Sequence, residues 1–265
     1  MGISFVKGHA YGNDLLLVPE SDVQGLELGL LARAMCHRLE GVGADGLIAY
    51  GFERDRIRMR LFNADGSASE VSGNGVRCLA ALVVRDQPGS TTVSVETLAG
   101  LKVLELTERT DDRLTFRASM GAPHDIRQIE FEAAGEHVKA VALSVGNPQC
   151  VLLDDPLQER RLRTLGPAIE RHPRFPNRTN ISFARVETPG RVRVLIWERG
   201  VGPTQASGTG ACGAAVAAAA YGGAARDVEV ISPGGSQRVE WLEDGIYLTG
   251  WAKLVFEGRW LAVSA

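Results

Sequence analysis

Two short segments of the sequence combine a serine, two glycines and the start of an apolar run. SGNG (72–75) precedes VRCLAALVV, and SGTG (207–210) precedes ACGAAVAAAA. The apolar runs predict buried helices over Val76–Arg85 and Ala211–Ala225. Because the first turn of a helix carries unpaired N–H groups and the positive end of the helix dipole, each segment predicts a site for a small anion.

We expect one small carboxylate to lie between the two helix starts, flanked by Ser72 and Ser207. The backbone amides that would hold it belong to Gly73, Asn74, Gly208 and Thr209. Glycine permits a close approach because it has no side chain in the way. The alternative is that each serine only caps its helix, a role in which serine is favoured.

These segments belong to a longer internal repeat. They lie 135 residues apart, as do Asn63 and Glu198, and Asn13 and Asn147 lie 134 residues apart. Several matches in the same order at nearly one offset indicate a duplicated unit, and the period is too long for a solenoid. The sequence therefore predicts two similar lobes, which we expect at residues 1–118 and 119–252, with a C-terminal strand near 253–265 completing the first.

The elements that must position these residues are mostly strands. Arg56–Phe62 and Arg191–Trp197 alternate charged and apolar residues, which predicts half-buried strands. Outer helices are predicted over Leu26–Leu39 and Leu157–Arg171, with Pro167 expected to start a new turn rather than lie within a helix. The predicted fold class is α+β, with two pseudo-symmetric lobes that each have one central and one outer helix.

Composition and charge exclude several classes of partner. The chain has 265 residues, of which 29 are Lys or Arg and 32 are Asp or Glu, for a net charge of −3. A slightly acidic chain without a basic block is a poor nucleic-acid binder. No apolar run reaches the roughly 18 residues of a membrane span, and the N-terminal MGISFVKGHA lacks the apolar core of a signal peptide. We therefore expect a cytoplasmic protein with no nucleic-acid or membrane partner.

Metal and cofactor motifs are not supported either. The four cysteines, 36, 78, 150 and 212, are scattered singly, which predicts reduced, mostly buried thiols rather than a zinc site or disulfides. GVGADG (41–46) matches GxGxxG, but a helix-like stretch precedes it and the strand-like LIAY follows. That order is the reverse of the dinucleotide-binding context. We expect no metal and no cofactor.

Six longer motifs are distributed along nearly the whole chain: FVKGHAYGND, GVGADG, LFNADGSASEVSGNGVRC, VGNPQ, NRTNISF and WERGVGPTQASGTGACGAA. Together they resemble the diaminopimelate epimerase family. The resemblance implies two lobes of curved, mostly antiparallel sheet, each around a central helix. It also implies a homodimer that interconverts LL- and meso-diaminopimelate, for lysine and peptidoglycan biosynthesis, without a cofactor.

The resemblance further implies a two-base mechanism, and here the chain departs from the family. One family cysteine removes the α-proton as a thiolate, and a second returns a proton to the opposite face. The family motifs read CGNG, CGTG and GNPH, whereas this chain has Ser72, Ser207 and Gln149 at the corresponding positions. A serine hydroxyl is far less acidic than a thiol, whose pKa is about 8.5, and needs an adjacent general base. Glu198 remains as a catalytic candidate, and the serines reflect either an engineered double Cys→Ser change or natural divergence.

Substrate-binding residues follow from the motifs that match. Those expected to line the substrate cleft are Asn13, Asn63, Asn147, Asn180, Glu198 and Arg199. The last two, with Asn63 and Asn180, suit the distal ammonium and carboxylate of diaminopimelate, since a carboxylate pairs with one and a guanidinium with the other. Alternatively, the asparagines are turn residues and Glu198-Arg199 is a surface ion pair.

The function that we expect is that of a diaminopimelate epimerase, an isomerase, impaired by serine at both base positions. A divergent isomerase of another amino acid or small acid remains one alternative. A binding protein that uses the same cleft without catalysis is the other.

Overall fold

The computed structural model describes residues 2–153 and 157–261. The chain divides into two compact units, Met1–Ala118 with Trp251–Ala265, and Ser119–Gly250. The sequence places the second division after residue 252, and the structure places it two residues earlier, within a strand. Met1 and residues 262–265 of the expected first lobe lie outside the described residues.

The first unit is mostly strand, with an outer and a central helix. A short 3₁₀ turn, Glu20–Val23, follows its second strand. Its elements in chain order are β1 (Ile3–Ala10), β2 (Asn13–Pro19), α1 (Leu28–Cys36), β3 (Gly46–Glu53), β4 (Arg56–Asn63), β5 (Ala68–Ser69), α2 (Gly73–Asp86), β6 (Thr92–Thr97), β7 (Gly100–Arg109) and β8 (Leu114–Gly121).

The second unit has the same order of elements, preceded by one more strand. The last strand, from Trp251 onward, belongs to the first unit and pairs with β1. The elements are β9 (His124–Ala133), β10 (Glu136–Ser144), β11 (Pro148–Leu153), α3 (Glu159–Glu170), β12 (Asn180–Thr188), β13 (Arg191–Glu198), β14 (Gly202–Thr204), α4 (Gly208–Tyr221), β15 (Asp227–Ser232), β16 (Gly235–Leu242) and β17 (Gly245–Trp260).

The strand pairing repeats between the units in both order and register. From β1 to β8 the successive ladders are antiparallel, parallel, antiparallel, parallel, antiparallel and antiparallel, and the ladders from β10 to β17 follow the same order. The parallel pair Leu15–Gly46 recurs as Gln149–Asn180, a shift of 134 residues at both positions. The β4–β6 and β13–β15 pairs are related by a shift of 135. The fold is therefore α+β with mostly antiparallel pairing, as predicted, and the offset found in the sequence is also the offset of the ladders.

The two central helices are buried over most of their length. Helix α2 is buried from Gly73 to Val84, and α4 from Gly208 to Ala218. Helix α2 packs against β1, β2, β6 and β7, and α4 against β10–β13, β15 and β16. A helix that is apolar on all sides needs neighbours on all sides, and the strands of each unit supply them.

Three helix predictions need correction. Both central helices begin three residues earlier than predicted, because the SGNG and SGTG segments supply the cap and the first turn. Helix α4 ends at Tyr221 instead of Ala225, since Gly222 is its C-cap and Gly223 has φ +76°. Pro167 lies inside α3. It is exposed there, so water can reach the carbonyl that its missing N–H leaves unpaired.

None of the helices in residues 2–153 and 157–261 is long and apolar enough to cross a membrane.

Close packing of α3 against β13 yields a test of the fold. A Cβ on Gly166 would lie 2.6 Å from Cδ2 of Trp197. We expect Gly166→Ala to lower the free energy of unfolding by about 1 kcal/mol or more, because overpacking costs about 1–3 kcal/mol and the gain in helix propensity is at most about 1 kcal/mol. Urea denaturation measures the change. Gly190→Ala is the control, since no atom lies within 4 Å of its added Cβ. A Gly166 variant as stable as the parent would contradict this packing.

Candidate active site

Ser72 and Ser207 occupy the same structural position in the two units. Each is the N-cap of a central helix, and its Oγ accepts a hydrogen bond from the third helical residue: Gly75 N lies 3.0 Å from Ser72 Oγ, and Gly210 N lies 3.2 Å from Ser207 Oγ. Ser72 is half-buried and Ser207 is buried. The capping role considered for both serines is therefore present, and both hydroxyls are aimed into the first helical turn.

The glycines of these segments have a packing role as well. A Cβ on Gly75 would lie 2.9 Å from Ile48 Cδ1, and one on Gly210 would lie 3.1 Å from Ile196 Cδ1. These glycines bring each helix start close to a strand of its own unit. The two residues that follow each serine are buried, and their amides have no carbonyl partner within the helix.

A chain of polar side chains lies beside the start of α2. Asn13 Nδ2 donates to Asp45 Oδ2 (3.0 Å), and Asn13 Oδ1 accepts from Asn74 Nδ2 (3.2 Å). Asn74 Oδ1 accepts in turn from Arg77 Nη2 (2.5 Å). The carboxylate at one end accepts and the guanidinium at the other end donates, so the orientation of both amides is determined. The structure thus brings Asn13 and Asn74, both expected at the substrate site, into direct contact.

The turn between β1 and β2 positions Asn13. Tyr11 and Gly12 both have positive φ, 56° and 87°, as a two-residue hairpin turn requires. An aromatic residue rarely adopts this conformation. Tyr11 is held in it because its hydroxyl accepts from Trp251 N (3.2 Å) and its ring centroid lies 4.4 Å from that of Trp251. Asn13 is therefore a buried residue that begins β2, not a turn residue.

The carboxylates beside Asn13 form a charged cluster. Asp14 pairs with Lys7 and with Arg38, each at 2.8 Å, and Arg38 also contacts Asp45 at 2.7 Å. Burial opposes ionisation of Asp14, but hydrogen bonds from Arg38 and Lys7 outweigh it and hold its pKa below the usual value. Burial and the negative charge of Asp14 raise the pKa of Asp45. Through Asp45, the cluster holds the side chain of Asn13 in place. The side chains of the cluster are partly exposed to solvent.

In the second unit, a corresponding series of hydrogen-bonded side chains lies beside the start of α4, with donor and acceptor roles reversed. Asn147 Nδ2 donates to Thr209 Oγ1 (3.2 Å), and Asn147 Oδ1 accepts from Gln149 Nε2 (2.7 Å). Asn147 and Thr209 correspond, at offsets of 134 and 135, to Asn13 and Asn74. Gln149 Oε1 is buried and has no hydrogen-bond partner among the described residues. An amide cannot take up a proton at neutral pH, so Gln149 does not supply the base that a histidine would.

Glu198 and Arg199 lie where β13 turns into β14. Arg199 N donates to Asn180 Oδ1 (3.0 Å), and Asn180 Nδ2 donates to Pro148 O (3.0 Å). The Arg199 guanidinium donates to Asn177 O (3.0 Å). Both Glu198 and Arg199 are half-buried. Asn180 therefore positions the backbone of this turn, in addition to any contact with a ligand.

Asn63 ends β4, as Glu198 ends β13 at an offset of 135. Its Nδ2 donates to Ser67 Oγ (3.0 Å), and its backbone N donates to Ser67 O (2.8 Å). Asn63 therefore lies at the start of the turn that leads to β5, and its side chain connects the start of that turn to Ser67.

The four cysteines do not substitute for the missing bases. None of the four forms a disulfide, and all four are buried. Burial raises the pKa of Cys36, Cys78 and Cys150 to about 12. Cys78 in α2 is therefore a neutral thiol at neutral pH, although it lies six residues beyond Ser72.

Two supporting residues were missed by reasoning from the sequence. In the sequence, Asp45 belongs to the glycine-rich match GVGADG, and Arg77 belongs to the apolar run VRCLAALVV. Arg77 carried a usable signal, because a charged residue inside an otherwise apolar helix must be paired. Asp45 had no comparable signal, since its contact with Asn13 spans 32 residues.

The Asp14 pKa predicts a pH-dependent loss of stability. A carboxyl whose pKa is lowered by folding stabilises the protein above the unfolded pKa of about 3.9, and the contribution disappears as the pH falls through the folded value. We expect Asp14→Asn to destabilise most at pH 7, with the difference shrinking below about pH 4. Urea denaturation at pH 7, 5 and 3.5 measures it, with Asp55→Asn in the exposed β3–β4 turn as control. A difference that does not change with pH would contradict the assignment.

Comparisons with known proteins identify the family of this chain. The family model described as diaminopimelate epimerase matches residues 5–126 and 141–255. A diaminopimelate epimerase of Desulforudis audaxviator is 42% identical, over 98% of this chain and 99% of its own, and one of Moorella thermoacetica is 41% identical, over 96% and 98%. The fold is similar to a crystal structure of a hydroxyproline epimerase from Agrobacterium vitis, with a TM-score of 0.73 at 17% identity, covering 97% of this chain and 90% of that one. By its sequence over nearly its whole length, the chain belongs to the diaminopimelate epimerase family.

Proposed function

We propose that this chain is an isomerase of the racemase and epimerase class that acts on LL- and meso-diaminopimelate, with chemistry slowed by serine at both base positions. The observation that carries the proposal is that residues 72 and 207 cap two equivalent buried helices in a chain of this family. Relatives at about 40% identity over nearly their full length bear the name diaminopimelate epimerase.

In this proposal both helix starts act on one substrate. The amides of Gly73 and Asn74 and those of Gly208 and Thr209 bind its α-carboxylate. One residue, 72 or 207, removes the α-proton, which leaves the electron pair on the α-carbon and the carboxylate. The other residue returns a proton to the opposite face, and inverts the centre. The positive ends of the two helices favour the negative charge that develops between these steps.

Serine makes this chemistry slow for a definite reason. The base form that removes an α-proton is an anion, and a thiol ionises near neutral pH far more readily than a hydroxyl. A serine needs a general base at hydrogen-bond distance to act. The resemblance to the family makes Glu198 the candidate for that helper at one of the two serines, as an alternative to its role at the distal end of the substrate.

The distal end of the substrate is assigned to the turns that end β4 and β13. Glu198 supplies a carboxylate for the distal ammonium, and Arg199 supplies a guanidinium for the distal carboxylate. Asn63 and Asn180 lie at the same two turns, while Asn13 and Asn147 support the two helix starts. This set favours a substrate that is charged at both ends.

One observation favours a second candidate, a binding protein that uses the site without catalysis. Both serine hydroxyls accept hydrogen bonds from helix amides, as purely structural caps do. An isomerase of another small acid differs from the first candidate only in the length of substrate. The homodimer and the cytoplasmic location stay predictions.

The exchange of the α-proton tests the proposed function. We expect the protein to bind diaminopimelate and to exchange its α-proton with solvent deuterium very slowly. The double variant Ser72→Cys with Ser207→Cys is expected to raise the rate by orders of magnitude, because each position gains a group that ionises near neutral pH. Proton NMR in deuterium oxide, with each stereoisomer as substrate, measures it.

Each single Ser→Cys variant serves as a control. Its one thiolate can exchange the α-proton that faces it, but inversion of the centre is expected to stay slow, because the base on the opposite face is still a hydroxyl. A panel of other amino acids separates the isomerase candidates. If the double variant neither binds diaminopimelate nor exchanges its α-proton, the substrate assignment is wrong. Binding by the parent with no gain in the double variant would favour the binding protein.

The capping bonds predict a stability cost for the same substitution. Sulfur is a weaker hydrogen-bond acceptor than oxygen, so Ser→Cys weakens the bond to Gly75 N or to Gly210 N. We expect each replacement to lower the free energy of unfolding by about 0.5–2 kcal/mol, the usual cost of a lost N-cap. Thermal and urea unfolding measure it. Ser→Ala at each position should show a similar loss with no gain in rate, and a Cys variant more stable than the parent would refute the capping role.

A further inference from the structure

We propose that Glu170 is a positioning residue for the distal end of the substrate. This inference rests on the proposed function, in which Glu198 and Arg199 bind the distal end. The buried carboxylate of Glu170 holds the turn that carries these two residues, and so determines how tightly diaminopimelate binds. Glu170 itself does not touch the substrate.

The carboxylate of Glu170 receives donors from both sides of the turn. Glu170 is the last residue of α3 and is 4% exposed. Its Oε2 accepts from Trp197 Nε1 at 2.7 Å, and its Oε1 accepts from Gly200 N at 3.3 Å. Oε1 also lies 3.5 Å from Arg178 Nη1. The charge is thus buried with several donors, which is the condition under which a buried carboxylate is tolerated.

These contacts fix the residues on either side of Glu198 and Arg199. Trp197 precedes the pair and Gly200 follows it, and Glu198 pairs with Gly202 across the hairpin. Gly200 has φ +76°, so the turn adopts a conformation that depends on glycine and on its hydrogen bonds. Gly166 of helix α3 also packs closely against the Trp197 ring. Both ends of this short turn are therefore attached to one side chain of α3.

The first unit shows that the fold itself does not require a carboxylate at this place. The residue equivalent to Glu170 at the offset of 134 is Cys36, the last residue of α1. The residue equivalent to Trp197 at the offset of 135 is Phe62. Cys36 is in a hydrophobic cluster against which Phe62 packs. The apolar version thus lies in the unit whose strand β4 ends in Asn63, and the charged version lies in the unit whose strand β13 ends in Glu198.

A carboxylate at position 170 offers two acceptor oxygens, whereas an amide offers one acceptor oxygen and one NH₂ donor group. Both oxygens of Glu170 accept, so Glu170→Gln places an NH₂ group against either the indole N–H or the amide of Gly200. In Trp197→Phe the indole donor is gone, and a glutamine at 170 can turn its NH₂ group toward the vacated side while its oxygen still accepts from Gly200. The cost of Glu170→Gln should therefore depend on residue 197.

Calorimetry with LL-diaminopimelate on the full chain tests the proposal. We expect Glu170→Gln to raise Kd about tenfold or more, the size expected for loss of one charge-assisted hydrogen bond. In the Trp197→Phe background the same change should raise Kd less than about threefold, because the NH₂ group introduced at position 170 then faces no indole N–H. Glu159→Gln is the matched control, since Glu159 is exposed at the other end of α3. Its Kd should equal that of the parent.

A second measurement needs no ligand. Hydrogen exchange of the Trp197 indole and the Gly200 amide, followed by NMR, should be faster at one or both positions in Glu170→Gln and unchanged in Glu159→Gln. Unchanged exchange, an unchanged Kd, or an equal loss of affinity in both backgrounds would overturn the proposal. If the parent does not bind LL-diaminopimelate, the proposed function fails, and the exchange rates still decide whether Glu170 holds this turn.

Discussion

A helix that begins among buried residues must find partners for its first amide groups, and both central helices of this protein begin in that way. In each, the serine hydroxyl satisfies the amide of the third residue. The two residues before it are buried as well. This requirement explains why buried polar side chains gather beside both helix starts.

The residue at the cap has two roles that oppose each other chemically. Oxygen is the better hydrogen-bond acceptor and stabilises the first turn, whereas sulfur ionises near neutral pH and can remove a proton. Ser72 and Ser207 favour the first role. The fold of the family is therefore retained, while the acidity of the two cap side chains depends on the identity of one atom in each.

Duplication gave this chain two equivalent backbones, and their side chains have become different. The caps, the helix starts and the strand ladders coincide at offsets of 134 and 135. Beside α2 the helix residue Asn74 donates to Asn13, whereas beside α4 the helix residue Thr209 accepts from Asn147. The first unit also has Cys36 where the second has Glu170. The turn after β13 carries Glu198 and Arg199, whereas the equivalent end of β4 carries Asn63.

The amino-acid sequence alone established the duplication, the mostly antiparallel α+β class, the burial of both central helices and the family, because periodicity, apolar runs and long motifs are local signals. It misplaced the helix starts and treated Pro167 as a helix boundary, since caps and exposed carbonyls depend on geometry. It also passed over Asp45 and Glu170. Their partners lie about 30 residues away in the chain, and only the pairing of strands with helices brings such groups to hydrogen-bond distance.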